Sequence, residues 1–332
     1  MVKKISLDER IFVAGANGMA GNAICRSLFK NGYGKYKAGK VLKTSRKELD
    51  LLDTKAVKQW FEINKPTVVI IAAAKVGGIL ANSKYPTQFL LDNLKIQNNL
   101  IENSWQTGVK RLLFLGSSCI YPKFAQQPIK EESLLTGQLE ETNQWYAIAK
   151  ISGIKLCEAL RKEYNFDAIS LMPTNLYGPG DNYHPQNSHV MASLIRKFYE
   201  ASINSSPSVK CWGTGNPLRE FLHVDDLGDA VVFALENWDP SSINAPTDEK
   251  NNKLTILNVG TGKDISIKEL AQKISNLVNF KGKIIWDNNK PDGTPKKLLN
   301  IQKIKSLGWN PKISLNEGIK NSIKSFKLEN NY

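Results

Sequence analysis

Tyr146 and Lys150 stand four residues apart at the start of a stretch with helical periodicity, a spacing that sets both side chains on one face about a turn apart. An ammonium beside a phenol favours the phenolate and lowers a pKa normally near ~10. Such a tyrosine exchanges a proton with a carbonyl or an alcohol near neutral pH. Ser117 closes a short apolar run in Gly116-Ser117-Ser118-Cys119, where its hydroxyl can donate to a substrate carbonyl. Ser118 is the alternative donor, and either serine also fits a plain turn cap. A free cysteine such as Cys119 is usually a small buried hydrophobe, but this one falls in the expected crevice.

A second group suits a nucleotide. The turn Gly15-Ala16-Asn17-Gly18-Met19-Ala20-Gly21 follows a strand pattern and opens a helix pattern, so its backbone N–H groups can approach a pyrophosphate at the positive helix end. Folds that grip the ribose 2′-hydroxyl of NAD carry an acid at the end of the second strand. Here Lys43-Thr44-Ser45-Arg46 stand instead, hydroxyls and cations suited to a 2′-phosphate, and NADP(H) is expected over NAD(H). Asp50 and Leu51, just beyond, are placed to face the adenine edge.

These side chains need a scaffold, and the hydrophobic pattern supplies one. Short apolar runs at Ile11–Ala14, Val41–Leu42, Val68–Ile71, Leu112–Leu115 and Ala168–Leu171 alternate with helical periodicity, for example around Phe89 to Trp105 and from about Tyr146 to Tyr164. That alternation predicts an α/β fold with a doubly wound parallel (Rossmann) sheet. Ser117 then lies at the carboxyl edge of the sheet, where ligands bind in such folds. Past Pro173 the rhythm breaks at Gly178, Pro179, Gly180 and Pro185. The expectation is a dinucleotide-binding domain over 1–176 with a return segment at about 220–260, begun by a strand at Phe221–Val224. A smaller, discontinuous substrate-binding lobe takes 177–219 and 261–332. Asp225 or Asp226 is expected to cap the helix after His223, and residues 240–253 to form a solvated insertion.

Composition narrows the partners. With 45 Lys+Arg against 31 Asp+Glu the net charge is +14, which favours polyanions and phosphorylated small molecules. No compact basic run interleaved with aromatics is present, so nucleic acid is not an expected partner. Cys25, Cys119, Cys157 and Cys211 show no C-x-x-C pair, so neither a zinc site nor a disulfide framework is expected and a reduced, cytoplasmic setting fits. No apolar run long enough for a membrane span occurs. Three histidines, His184, His189 and His223, complete the titratable inventory; a lone histidine is more often a hydrogen-bonded structural residue than a catalyst.

Longer strings are more specific. GSSCIYP (116–122), YAIAK (146–150), PTNLYGP (173–179), NSHV (187–190), REFLHVDD (219–226), KPDGTP (290–295) and AAAKVGGI (72–79) together resemble the GDP-L-fucose synthase family of the extended short-chain dehydrogenase/reductases, over about Arg10 to Phe326. The resemblance implies epimerisation of GDP-4-keto-6-deoxy-D-mannose at C3 and C5, then NADPH-dependent reduction of the C4 ketone, in a homodimer. It implies Ser117, Tyr146 and Lys150 as the reductase set, Cys119 as the base and His189 as the acid. For the cofactor it implies Gly15 through Gly21, Arg46, Asp50, Leu51, Leu115, Gly116, Ser117, Ser118, Lys150, Pro173, Thr174, Asn175, Leu176 and His189. For the GDP-sugar it implies Lys197, Trp212, Arg219 and Asp292, with Arg219 suited to a bidentate grip on the diphosphate. Asn17 stands where some members carry Arg, and Lys197 replaces a common arginine, which alters phosphate geometry.

Other readings have signatures of their own. A nucleotide-sugar 4-epimerase would hold NAD tightly, and a 4,6-dehydratase wants an acid, usually Glu, where Cys119 stands. A dinucleotide-binding module without catalysis typically loses the Tyr-Lys pair, which is present here.

Overall fold

The computed structural model describes residues 3–185, 187–290 and 292–330; Pro291, within the KPDGTP string, lies outside them. The first half alternates β1 (Arg10–Ala14), α1 (Met19–Lys30), β2 (Lys40–Leu42), α2 (Thr54–Asn64), β3 (Val68–Ile71), α3 (Ile79–Lys84), α4 (Pro86–Gln106), β4 (Arg111–Leu115), α5 (Gln144–Tyr164) and β5 (Ala168–Pro173). There follow β6 (Asn175–Tyr177), α6 (Val190–Ile203), β7 (Ser208–Trp212), β8 (Leu218–His223), α7 (Val224–Asn237), β9 (Ile256–Val259), β10 (Asp264–Ser266), α8 (Ile267–Leu277), β11 (Lys283–Asp287), β12 (Lys296–Lys297), α9 (Gln302–Ser306) and α10 (Leu315–Glu329).

Six strands form one parallel sheet in the order β2-β1-β3-β4-β5-β9. Val68–Ile71 and Arg111–Leu115 are buried at every position, because helices cover both faces and leave no residue a wet side. The chain runs outward from β1 to β2 and returns past β1 to β3. The order therefore reverses between β1 and β3, the crevice where open α/β sheets bind ligands. The charge buried in β4 is answered: the Arg111 guanidinium is held by Asp167 and by the carbonyls of Ala234 and Trp238.

A second apolar core, separate from the first, gathers Tyr177, Leu194, Phe198, Phe221, Ile274 and Phe326. Around it lie the small sheet β10-β8-β12, with β6 also paired to β8, and the β7–β11 ribbon. The strand expected at Phe221–Val224 therefore belongs to the small sheet, not the large one. The chain rejoins the large sheet at Ile256–Val259 instead, paired with β5. Glu220 of β8, fully buried, stitches the two sheets together: it accepts from the backbone N–H of Thr261 (2.6 Å), Gly262 (2.7 Å) and Leu299 (2.9 Å). Three donors compensate a burial that by itself raises the carboxyl pKa.

Helix ends explain two local differences. Asp53 caps α2 and Ser266 with Glu269 forms a capping box on α8. At α7 the cap is the His223 imidazole, whose Nδ1 accepts from Asp225 N–H at 3.2 Å. Asp226, one of the two expected caps, instead accepts from the backbone of Lys312 and Ile313.

Candidate active site

The turn after β1 is shaped by exclusion of side chains. Gly15 has φ +86°, and a Cβ there would stand 2.7 Å from the Ala73 nitrogen at the end of β3. A Cβ on Gly21 would stand 2.1 Å from the Gly15 carbonyl oxygen. Both substitutions would force apart the β1–α1–β3 junction. Gly18, extended at the head of α1, offers no side-chain cap, and the first turn of the helix carries no acid. The N–H groups there are left for an anion, and a pyrophosphate fits this cradle. Arg46 and Asp50 sit beyond β2 at the rim, exposed and 3.8 Å apart. The loop after β3 is fixed by buried Asn93, which accepts from Lys75 N–H at 2.8 Å and donates to Lys75 C=O at 3.0 Å. Gly78 in the same loop donates to the Asn187 carbonyl at 3.4 Å.

At the carboxyl end of β4, Ser117 accepts from Cys119 N–H at 3.2 Å and heads a single helical turn over 118–120. The first turn of α5 brings the Tyr146 hydroxyl near Ser117 and Cys119. Lys150, one turn on and buried, donates to the Leu115 carbonyl at 2.8 Å, with its ammonium 5.8 Å from the Tyr146 ring centre. The surroundings do not favour the phenolate expected from the Tyr-Lys spacing. Burial pushes the Tyr146 phenol above its usual range, Cys119 adds to that, and Ser117 only partly opposes it. Burial likewise pulls Lys150 down to about 7. Loss of hydration is the largest influence on both groups and favours their neutral forms.

Arg219 on β8 approaches the same corner, near enough for Cys119, Glu140 and Asp292 to oppose the burial that lowers its pKa. Its guanidinium donates to the Leu218 carbonyl at 2.9 Å. The Asp292 carboxylate accepts from Thr214 N–H and hydroxyl, both at 2.8 Å, and so pins the loop around Gly213. Farther out, Lys197 on α6 lies 5.7 Å and Lys290 5.4 Å from the Trp212 ring centre. That indole is half exposed, an open platform between two cations. Two residues at Cys119 escaped the sequence reading: Asn143 Nδ2 and Lys297 Nζ, each 3.7 Å from its Sγ.

His189 heads α6 and is exposed, although its surroundings desolvate the imidazole enough to lower its pKa. Among the described residues no hydrogen bond or ion pair joins it to Cys119 or Tyr146. It follows Asn187 and Ser188, whose carbonyls face Gly78.

The loop beyond β6 covers the glycine turn, with a Cβ on Gly180 lying 3.8 Å from Met19 Cα. Its Asp181 is buried, and Glu329 of α10 accepts the neighbouring Gly180 N–H at 3.2 Å. Burial, helped by the Glu329 charge, pushes the Asp181 carboxyl from 3.8 up to about 7. The folded state therefore keeps a proton that the unfolded state releases, and its stability falls as pH rises towards 7. In denaturant titrations of the cofactor-free protein, Asp181→Asn should gain on the wild type by about 2–3 kcal/mol between pH 5 and pH 8. A gap that stays constant with pH would remove Asp181 as its source.

A parallel sheet with a glycine cradle at its switch point, and a serine, tyrosine and lysine at its carboxyl edge, defines a dinucleotide-dependent enzyme of the short-chain dehydrogenase/reductase kind. Residues 11–245 match the model of the NAD dependent epimerase/dehydratase family, and the chain belongs to that family. Its similarity to GDP-L-fucose synthase 1 of Arabidopsis thaliana is 53% identity over 93% of this chain and 90% of that one. Among solved structures it resembles a GDP-6-OMe-4-keto-L-xylo-heptose reductase from C. jejuni, with TM-score 0.89 and 35% identity over 98% of this chain and 99% of that one. It also resembles a GDP-L-fucose synthetase from Naegleria fowleri bound to NADP, with TM-score 0.84 and 29% identity over 98% and 96%. The family resemblance carried by the sequence motifs is thereby borne out.

Proposed function

We propose that this chain is a GDP-L-fucose synthase, which epimerises GDP-4-keto-6-deoxy-D-mannose at C3 and C5 and then reduces its C4 ketone with NADPH. The observation that carries the reading is the gathering of Ser117, Cys119 and Tyr146 at one point of the sheet edge, in a chain half identical to a plant enzyme of that name. When bound, NADPH supplies the hydride. The residues present fit it, with Gly15 to Gly21 and the head of α1 receiving the pyrophosphate and Lys150 beneath the site.

The C4 carbonyl makes one pocket sufficient for both stages. It acidifies the protons on C3 and C5, and donors from Ser117 and Tyr146 stabilise the enolate that forms on their removal. Cys119 takes the proton and His189 returns one to the other face. Tyr146, held in its acid form by burial, then protonates O4. Arg219 and Lys197 bind the diphosphate, Trp212 offers a stacking surface, and Asp292 orders the adjoining loop at Thr214.

The two apolar cores support two units, an NADP-binding one, 1–176 with the return at about 220–260, and a substrate-binding one, 177–219 and 261–332, except that Phe221 packs in the second core and Leu299, Ile301, Ile304 and Trp309 in the first. Four free cysteines are consistent with a cytoplasmic setting, and no helix among the described residues is long and apolar enough to cross a membrane. A homodimer is the expected assembly, to be read by light scattering; a monomer mass would end that expectation.

The reading is tested by supplying the keto-deoxy nucleotide sugar and NADPH in heavy water. GDP-L-fucose carrying deuterium at C3 and C5 is expected. A reduced product without deuterium would leave only a ketone reductase. Arg46→Ala should weaken NADPH about tenfold or more with little effect on NADH, measured by fluorescence titration, whereas equal losses would detach Arg46 from the 2′-phosphate.

A further inference from the structure

Cys119 differs from the three other cysteines in being the one that is not buried, and its sulfur has two polar neighbours from distant parts of the chain. Asn143 Nδ2 at the entry to α5 and Lys297 Nζ on β12 each lie 3.7 Å from Sγ. Lys297 is delivered there by the pairing of β12 with β8, in register with Arg219. Leu299, two residues on, is anchored to the buried Glu220. The adjacent Lys296 is neutralised by Asp264 at 3.3 Å. Among the described residues Lys297 forms no ion pair, so its ammonium has the sulfur rather than a carboxylate as its close partner.

We infer that Lys297, its ammonium set against the Cys119 sulfur, is a charge-positioning residue for the proton transfer at C3 and C5. The inference rests on the proposed role of Cys119 as base. A base must be ionised before substrate arrives, and a thiol becomes so at neutral pH when an ammonium and a hydrogen-bond donor face the sulfur. Proton balance is simple: the thiolate takes the proton from C5 or C3, and the C–H electron pair passes to the C4 oxygen. Arg219 adds positive charge from its own side and Glu140 opposes it; both already serve the cleft, while Lys297 meets the sulfur directly.

The test reads the sulfur without any substrate. Iodoacetamide is uncharged and reacts with thiolate, and the burial of Cys25, Cys157 and Cys211 confines fast labelling of the folded protein to Cys119, located by peptide mass. At pH 7, Lys297→Met and Lys297→Gln are expected to slow labelling about tenfold or more, whereas Lys297→Arg, which keeps the charge, stays within about threefold of the wild type. Unchanged labelling in the Met and Gln variants overturns the inference. So does equal slowing in the Arg variant, which would assign the effect to packing. Deuterium uptake at C3 and C5 is followed in parallel and should fall in step with labelling. If labelling slows while uptake persists, Lys297 still governs the thiolate, and the assignment of Cys119 as base is what fails.

Discussion

Replacing Tyr146 by phenylalanine should lower the rate of NADPH-dependent ketone reduction by about a thousandfold while the protein folds and binds cofactor as before. Only the hydroxyl is removed; the ring keeps its packing under the Lys150 ammonium. That hydroxyl lies by Ser117 and is buried enough to remain protonated, so it is the acid available to a developing alkoxide, and positioned acids contribute about 10²–10⁴-fold. Single-turnover absorbance of NADPH measures the loss directly. Turnover within about tenfold of the wild type would take Tyr146 out of the proton path. The sign of the pH dependence follows from burial: because the pKa is raised, the acid form persists through neutrality, and the Tyr146-dependent step should not decline until well above pH 8.

Cys119→Ser should divide the two stages. Serine preserves size and the backbone N–H to Ser117, but its hydroxyl does not ionise near neutral pH, so proton abstraction loses its base. Deuterium incorporation at C3 and C5 is expected to fall about a thousandfold, while reduction of the already epimerised ketone slows by less than about tenfold, since Ser117, Tyr146 and Lys150 are untouched. NMR of the product reports both. Equal losses in the two stages would mean that the thiol orders the pocket rather than moving a proton.

The strands β1 to β5 were legible because burial on both faces demands apolar runs, as in Val68–Ile71, and runs of that kind have no competing explanation. The glycine turn was legible because backbone must meet backbone at Gly15 and Gly21. The final strand of the sheet was not: Ile256–Val259 is short, includes Asn258, and follows a polar insertion. Asn258 is tolerated in the core because Tyr121, Glu131, Ile129 and Asn300 satisfy it, partners no local pattern reveals. Strands β10 and β12, Asp264–Ser266 and Lys296–Lys297, exist through pairing with β8 rather than through propensity. The same holds at the site. Tyr146 and Lys150 share a helix and announce themselves by spacing, whereas Lys297 reaches Cys119 across 178 residues of chain. The cap on α7 was misread because imidazole is a rarer acceptor at that position than the two carboxylates beside it.

The buried carboxylate of Glu220 ties Thr261, Gly262 and Leu299 to one point, and Arg219 and Lys297 flank that knot. Both cations are thus fixed where the small sheet is tied to the segment leaving β9. His189 heads α6, whose Met191, Leu194 and Phe198 pack in the same apolar core as Phe221 of β8. The head of α6 and the strand carrying Arg219 therefore share one footing, and a substitution that loosens the Glu220 knot would disturb guanidinium and imidazole together.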